Sequence, residues 1–378
     1  MDIINSAAPY VRSSVAYVAG LSVSEVALER GIPEGHIVKL ASNENPLGTS
    51  AAVGAALLGH LGDLNRYPDA SGLRLKRAIS ERYSVPTDWI TLGNGSNHIL
   101  ELATRAFVER GQSTVHSEFS FATYAKSTQA VGGRGIVVAA LNYGHDLEAM
   151  RRAIVGDTKV VFLANPNNPT GTFIDGAELE SFINDVPRRV LVVLDEAYTE
   201  YLSENRIYDS LSWLVKFPHL LVCRTFSKAF GLAALRVGFG CAQPEVTGLL
   251  NKVRQPFALS GMAQAAAIAA LHDEQFLRVT LTTNDEGRCQ LYSAFETLGL
   301  GYLKSEGNFV LVRVGDAITS GAIVLRRLLE HGIIVRPVED YGLPQWLRVS
   351  VGLQRENGVF LQGLALALDR VKGECDSS

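Results

Sequence analysis

Val190-Leu191-Val192-Val193-Leu194-Asp195-Glu196-Ala197-Tyr198 decides the fold. Its first five residues are apolar without alternation, so neither face of the strand they form can meet water. That condition is satisfied near the centre of a mainly parallel sheet covered by helices on both sides. The run then stops on a carboxylate. Open α/β sheets hold their ligands at the carboxyl ends of the strands, so Asp195 stands where chemistry is expected. A helix N-cap has the same local signature, and the rest of the chain must choose between the two.

Outward from this strand, short β-rich runs alternate with helical patterns from about Trp89 to Ala242. The runs are Trp89-Ile90-Thr91-Leu92, Thr114-Val115-His116, Gly135-Ile136-Val137-Val138, Lys159-Val160-Val161-Phe162-Leu163 and Leu220-Leu221-Val222-Cys223. Between the first two, Ile99, Leu100, Ala103, Ala106 and Phe107 recur at helical spacing, with Ser96 as N-cap and Gly111 past the end. After Gln255-Pro256 the pattern changes. An alanine-rich helix over 263–271 leads into a smaller α+β region with strands at Phe309-Val310-Leu311-Val312, Ile333-Ile334-Val335 and Leu347-Arg348-Val349-Ser350-Val351, and a helix near 323–329. The stretch before about Asn45 lacks strong periodicity and reads as an arm packed on the small domain or on a partner subunit. The expected domains are therefore an arm over 1–45, a large domain over 46–265 and a small one over 266–378.

A chain of 378 residues with 47% hydrophobic content can bury a large core in more than one domain. A net charge of -4 without a long basic run argues against nucleic acid or an anionic membrane as a partner. No stretch approaches the roughly 18 apolar residues of a membrane span, and no basic start precedes an apolar segment, so a cytoplasmic protein is expected. Cys223, Cys241, Cys289 and Cys375 are scattered, which points away from a disulfide framework and fits a reducing compartment. The histidines stand singly and no metal site is expected.

Three further segments carry chemistry. In Arg224-Thr225-Phe226-Ser227-Lys228-Ala229-Phe230-Gly231-Leu232-Ala233-Ala234-Leu235-Arg236, a lysine able to bind an aldehyde covalently lies near a hydroxyl and a guanidinium able to hold a phosphate. Asn165-Pro166-Asn167-Asn168-Pro169-Thr170-Gly171 follows a buried strand and fixes an irregular backbone, a rigid mount for the Asn168 amide. Leu92-Gly93-Asn94-Gly95-Ser96-Asn97 ends a strand and opens a helix, whose N–H groups and dipole favour phosphate. Its glycine spacing does not match a dinucleotide fingerprint. Each segment also has a bland reading as a turn or a cap, and it is their joint presence that matters.

With Lys39-Leu40-Ala41-Ser42-Asn43-Glu44-Asn45-Pro46-Leu47-Gly48, Arg66-Tyr67-Pro68-Asp69 and Leu347-Arg348-Val349-Ser350-Val351-Gly352, these segments run in the order found in one family. The chain resembles the fold type I pyridoxal-phosphate aminotransferases, and within them the histidinol-phosphate aminotransferases. The resemblance implies an α/β fold: a large domain with a mainly parallel seven-stranded sheet flanked by helices, plus a smaller α+β domain. It implies pyridoxal 5'-phosphate bound covalently at Lys228, with Asp195 on the pyridine nitrogen, Asn168 and Tyr198 on the phenolic oxygen and Phe121 stacked on the ring. The phosphate would be held by Gly95, Ser96, Asn97, Ser227 and Arg236, with Tyr67 reaching in from the second subunit of a homodimer. Arg348 and Arg336 would take the anionic end of the substrate and Asn45 would line its site, although Arg336 also reads as a surface ion pair. The implied reaction is transamination between L-histidinol phosphate and 2-oxoglutarate in two half-reactions at one site, with ping-pong kinetics.

Of two departures, the first touches the cofactor phosphate, which an Asn can still hold, and the second bears on substrate choice. Asn97-His98 stands where the family often has an acidic pair, and Val11-Arg12-Ser13-Ser14 replaces a Pro-Gly turn common after Pro9-Tyr10. The alternatives are an aminotransferase for aromatic or specialised amino acids, a phosphothreonine-type decarboxylase using the same cofactor, and a cofactor-binding regulatory module. The last requires an upstream DNA-binding helix-turn-helix, for which only a short arm before Lys39 is available.

Overall fold

The computed structural model describes residues 3–14, 20–316 and 320–375, the last six as backbone only. Residues 1–2 and 15–19 of the expected arm, and the thiol of Cys375, lie outside that description. The chain divides into two compact units, Met1–Ala16 with Thr49–Asn168 and Phe173–Leu277, and Tyr17–Gly48 with Pro169–Thr172 and Arg278–Ser378. The boundary expected after residue 265 falls inside the helix Gly261–His272.

Among the described residues there are twelve strands: β1 (Val38–Leu40), β2 (Ile90–Gly93), β3 (Ser113–Ser117), β4 (Arg134–Val138), β5 (Thr158–Ala164), β6 (Leu191–Asp195), β7 (Leu220–Thr225), β8 (Gly238–Cys241), β9 (Tyr302–Leu303), β10 (Phe309–Arg313), β11 (Ile333–Val338) and β12 (Leu343–Ser350). The first unit holds a seven-stranded sheet in the order β2-β8-β7-β6-β5-β3-β4. Its pairings are parallel except the two made by β8. The strand β6, which ends on Asp195, is the fourth of seven, as its unbroken apolar run requires.

Alternation reappears in three dimensions as a division between two cores. Val161 and Leu163 of β5, Val192 and Leu194 of β6, and Leu220 and Val222 of β7 join one apolar cluster, with the helices Leu73–Tyr83, Gly176–Asp185 and Gly261–His272. Val160, Phe162, Leu191, Val193, Leu221 and Cys223 join another, with the helices Ser96–Phe107 and Pro244–Val253. Successive side chains of a strand point to opposite faces, so a strand apolar at every position feeds both cores.

The β8 strand was not among the expected ones, because Gly238-Phe239-Gly240-Cys241 hides its period behind two glycines. Packing explains them. A Cβ on Gly238 would lie 2.5 Å from the Ser96 amide nitrogen and 2.7 Å from the Gly95 carbonyl carbon. The N-terminus of the helix Ser96–Phe107 therefore rests directly on the β8 backbone.

The second unit contains a five-stranded sheet in the order β1-β11-β12-β10-β9. Its core is built from Val310, Val312, Val335, Leu347 and Val349 with Val324 and Leu328 of the helix Gly321–Glu330 and Phe360 and Leu364 of the helix Gln354–Cys375. The three strands expected from the sequence are present. The short β1 and β9 escaped notice, since two or three residues carry no periodicity; β1 adds a parallel edge against β11. No helix among the described residues is long and apolar enough to cross a membrane.

Candidate active site

Register places the chemical segments of the first unit at one sheet edge. Ala164 at the end of β5 pairs with Asp195 at the end of β6, which pairs with Cys223 of β7. Thr225 ends β7 opposite Gly238, which also pairs with Gly93 at the end of β2. Because β8 is antiparallel to both neighbours, β2 and β7 end on the same side. The Asn165–Asn168 stretch, Asp195, Ser227-Lys228 and the Gly95 turn thus leave the sheet together.

Asp195 is 5% exposed. Its Oδ2 accepts a hydrogen bond from the Tyr124 hydroxyl at 2.9 Å, whereas Oδ1 is buried without a hydrogen-bond partner. Burial pushes the carboxyl up to about 6, helped by the charge of Glu196 and opposed by the Tyr124 hydroxyl, the Ala197 amide and the charge of Lys228. A buried carboxylate oxygen without a donor is costly, and an aromatic N–H carrying positive charge would satisfy it. The N-cap reading of Asp195 fails, because the next element is a single short turn, Thr199–Tyr201, whose N-cap is Tyr198.

Lys228 Nζ lies 5.9 Å from the centre of the Tyr198 ring, and Tyr198 is buried. The Asn168 mount is fixed from both sides. Asn165 donates through Nδ2 to the Ile174 carbonyl and the Tyr208 hydroxyl, each at 3.0 Å, and accepts from the Ile174 amide at 2.8 Å. Its own amide donates to the Asp195 carbonyl at 3.1 Å. Asn167 Nδ2 donates to the Phe119 carbonyl at 2.6 Å, which ties the turn to the segment carrying Phe121. The Phe121 ring meets Tyr124 edge-on at 5.9 Å and 89°.

The anion cradle forms around Gly95. This residue, not Ser96, is the N-cap of the helix Ser96–Phe107, at φ 75 and ψ 167, and no side chain caps the turn. Ser96 is instead the first helical residue, because the glycine backbone alone can make the bend that lays the helix on β8. The Asn94 amide donates to His98 Nδ1 at 3.2 Å, so that ring nitrogen acts as an acceptor. Burial and the charges of Arg254 and Arg105 hold its pKa below the ordinary value. Arg236, left-handed at φ 52, donates through Nη1 to Ser227 Oγ at 3.2 Å and to the Ala233 carbonyl at 2.9 Å. Its guanidinium covers Gly95 so closely that a Cβ there would lie 2.4 Å from Nη2. A guanidinium, a hydroxyl and the open first turn of a helix in one place suit a phosphate.

Beneath Asp195, Glu196 Oε2 meets Arg224 Nε at 3.0 Å and Nη2 at 2.9 Å in a buried pair. Glu200 belongs to the same cluster and is pushed up to about 7 by burial, with Arg224 opposing and Glu196 adding to the shift.

Tyr67 stands apart from this group: it is 83% exposed and stacks on Phe257 with ring centres 4.6 Å apart. Leu58, Leu61 and Leu64 are also exposed on the approach to it. The remaining expected residues lie in the second unit. Arg348 is buried, donates to the Ala41 carbonyl at 2.8 Å and covers the Phe309 ring at 5.5 Å. Arg336 is paired with Asp340 at 2.5 Å, the ion pair that its sequence context also allowed. Asn45 donates to Thr280 Oγ1 and accepts from the Leu47 amide, both at 3.0 Å.

Sequence reasoning missed Tyr124, Asn165 and Asn167 as site builders. Tyr124 follows Phe121 by three residues, a spacing that puts two rings on one face at a helix start, but an aromatic cluster reads equally well as core. The two asparagines flank Pro166, and only the fold shows which amide faces the site and which hold the turn.

A sequence model of the aminotransferase class I and II family matches residues 35–361. The histidinol-phosphate aminotransferase 1 of Cupriavidus pinatubonensis is 56% identical over 359 residues, covering 95% of this chain and 96% of that protein. The histidinol-phosphate aminotransferase 2 of Ralstonia nicotianae is 54% identical over 359 residues with the same coverage of both chains. Among solved structures, the histidinol-phosphate aminotransferase from Sinorhizobium meliloti in complex with pyridoxal-5'-phosphate matches with a TM-score of 0.88 at 28% identity, over 96% of this chain and 97% of that one. A double mutant of the aspartate aminotransferase of Thermus thermophilus matches with a TM-score of 0.82 at 24% identity, over 97% and 98% of the two chains, a likeness of fold alone.

Proposed function

The chain belongs to the class I and II aminotransferases, and from that membership we propose that it uses pyridoxal 5'-phosphate to transaminate L-histidinol phosphate with 2-oxoglutarate. The products are imidazole acetol phosphate and glutamate, a step of histidine biosynthesis. The observation that carries the cofactor assignment is the buried Asp195 Oδ1 without a hydrogen-bond partner, at the same sheet edge as an anion cradle and a lysine. The donor assignment rests on the relatives, whose names specify histidinol phosphate over nearly the whole chain.

When bound, the cofactor supplies an aldehyde and an electron-withdrawing pyridinium ring. Lys228 Nζ would hold the cofactor's aldehyde and, as a free amine, would be the base placed to take a proton from the amine-bearing carbon. Asp195 would hold the ring nitrogen, and Tyr198 and Asn168 would hold the phenolic oxygen. Phe121 covers the ring. Gly95, Ser96, Asn97, Ser227 and Arg236 hold the cofactor phosphate. Arg348 takes the anionic end of the substrate, a phosphate in one half-reaction and a carboxylate in the other, which a planar fork of donors accepts equally. Arg336 joins it by exchanging Asp340 for substrate, and Asn45 fixes the backbone entering that region. The enzyme works in the cytoplasm as a homodimer in which Tyr67, exposed in the single chain, completes the partner's phosphate site.

The test is spectroscopic. Purified protein loaded with pyridoxal phosphate loses its aldehyde-form absorbance when histidinol phosphate is added and regains it with 2-oxoglutarate. Conversion by phenylalanine but not by histidinol phosphate would favour the aromatic alternative, and carbon dioxide release without an oxo acid would favour a decarboxylase.

A further inference from the structure

Tyr124 touches Asp195, and its surroundings are more constrained than a core tyrosine needs. The residue is fully buried. Its ring lies parallel to Phe162 of β5, 4.7 Å away and tilted by 4°, and meets the Phe121 ring edge-on. Its backbone is anchored as well: its amide donates to the Phe121 carbonyl at 3.0 Å, and its carbonyl accepts from Thr128 Oγ1 at 2.8 Å and Ser127 Oγ at 3.2 Å. Rotation of the phenol is therefore blocked, and the hydroxyl has one place to be, 2.9 Å from Asp195 Oδ2.

We propose that Tyr124 is a positioning residue for the cofactor: its hydroxyl occupies Oδ2 of Asp195, keeps the carboxylate anionic in a buried site, and reserves Oδ1 for the N–H of the pyridinium ring. This rests on the assignment of pyridoxal phosphate to the site. The direction of the hydrogen bond is fixed, because burial and the neighbouring charges of Asp195, Cys223 and Tyr198 raise the phenol well above its ordinary value. Tyrosine is thus a donor throughout the working pH range. At Asp195 the same hydroxyl is the first counterweight to burial, ahead of the Ala197 amide and the Lys228 charge, while Glu196 pushes the other way. Without it the carboxyl holds its proton at higher pH and offers the ring nitrogen a donor instead of an acceptor. The edge contact with Phe121 lets the same side chain support the residue assigned to the ring face.

The experiment is a comparison of two ligands, with binding as the readout. Pyridoxal phosphate and its deaza analogue, in which C–H replaces the ring nitrogen, are titrated into wild type and Tyr124→Phe. Wild type binds the natural cofactor more tightly than the analogue. Tyr124→Phe keeps the ring packing and loses about tenfold or more in affinity for the natural cofactor, the scale of a hydrogen bond to a charged group, and little for the analogue. In an Asp195→Asn background the second substitution costs nothing further. An equal loss for both ligands, or no loss for either, overturns the proposal and leaves Tyr124 a packing residue. Monofluorotyrosine at position 124 keeps the shape and makes a stronger donor; selective tightening of the natural cofactor is expected, and its absence counts equally against the proposal. Should wild type bind neither ligand, or not distinguish them, the cofactor assignment itself falls and this inference with it.

Discussion

Gly95→Ala tests whether the Gly95 turn and Arg236 form a phosphate cradle or merely a loop. The residue sits at φ 75 and ψ 167, a region essentially reserved for glycine, so an alanine there costs ~1–3 kcal/mol in backbone strain. The added methyl would lie 2.4 Å from Nη2 and 3.2 Å from Cζ of Arg236. That obstacle is the far end of a flexible side chain, and the guanidinium gives way before the backbone does. Its displacement breaks the 3.2 Å bond to Ser227 Oγ and withdraws one charge-assisted contact from a bound phosphate, worth about 1.5–3 kcal/mol. Affinity for pyridoxal phosphate should therefore fall on the order of 10–100-fold, with the fold retained and Tm lowered by a few degrees. The assay is an absorbance titration with pyridoxal phosphate and, in parallel, with pyridoxal, which lacks the phosphate. The loss should be confined to the phosphorylated form; an equal loss for both would refute the cradle. Gly238→Ala is the contrast, because its methyl meets the backbone of Ser96 and Gly95 at 2.5 and 2.7 Å and nothing flexible can yield. That variant should be destabilised globally before any ligand is added.

Lys228→Ala and Tyr67→Ala should each be nearly inactive, but mixed in equal amounts and allowed to exchange subunits they should recover about a quarter of the wild-type sites, since a two-fold dimer carries each site with its partner's Tyr67; no recovery would place Tyr67 outside the site. Arg224→Met leaves Glu196 buried and unpaired and should lower stability by about 3–5 kcal/mol, read as a shift in the urea midpoint; a near-neutral result would show that water reaches the pair. Glu200 takes its proton more readily in the folded chain, raised by burial to about 7 from an ordinary 4.5. The native state therefore holds more protons within that window, and stability falls as pH climbs through it. Glu200→Gln removes that loss, so its Tm advantage over wild type should widen from about pH 4.5 to about pH 7, and a gap independent of pH would contradict the assignment.

The fold was legible wherever a strand was long and apolar. Strands β5, β6 and β7 have their residues shared between two cores, and a segment buried on both faces leaves no ambiguity in sequence. The β8 strand was invisible, since its glycines are there for the neighbouring helix end, not for the strand itself. At the candidate site, the sequence nominated Asp195, Lys228, Ser227 and Arg236 because their chemistry is unusual at a strand end or beside a glycine turn, and the fold brings the segments that carry them to one sheet edge. Tyr124 was not. Its ring is a core residue by every local measure, and only the 2.9 Å to Asp195 makes it part of the site.

By itself the sequence determined the α/β class, the central strand and the family the chain resembles, and it nominated a lysine and a carboxylate for the site, because each depends on residue type and order along one strand or turn. Tertiary structure decided which carboxylate oxygen has a donor, that Gly95 and not Ser96 begins the helix, that Arg336 is paired with Asp340, and that Asn165 and Asn167 hold the turn bearing Asn168. Those outcomes depend on pairings between residues tens of positions apart or on a backbone bend forced by packing, and hydrogen-bond geometry over such separations has no periodic trace in the chain.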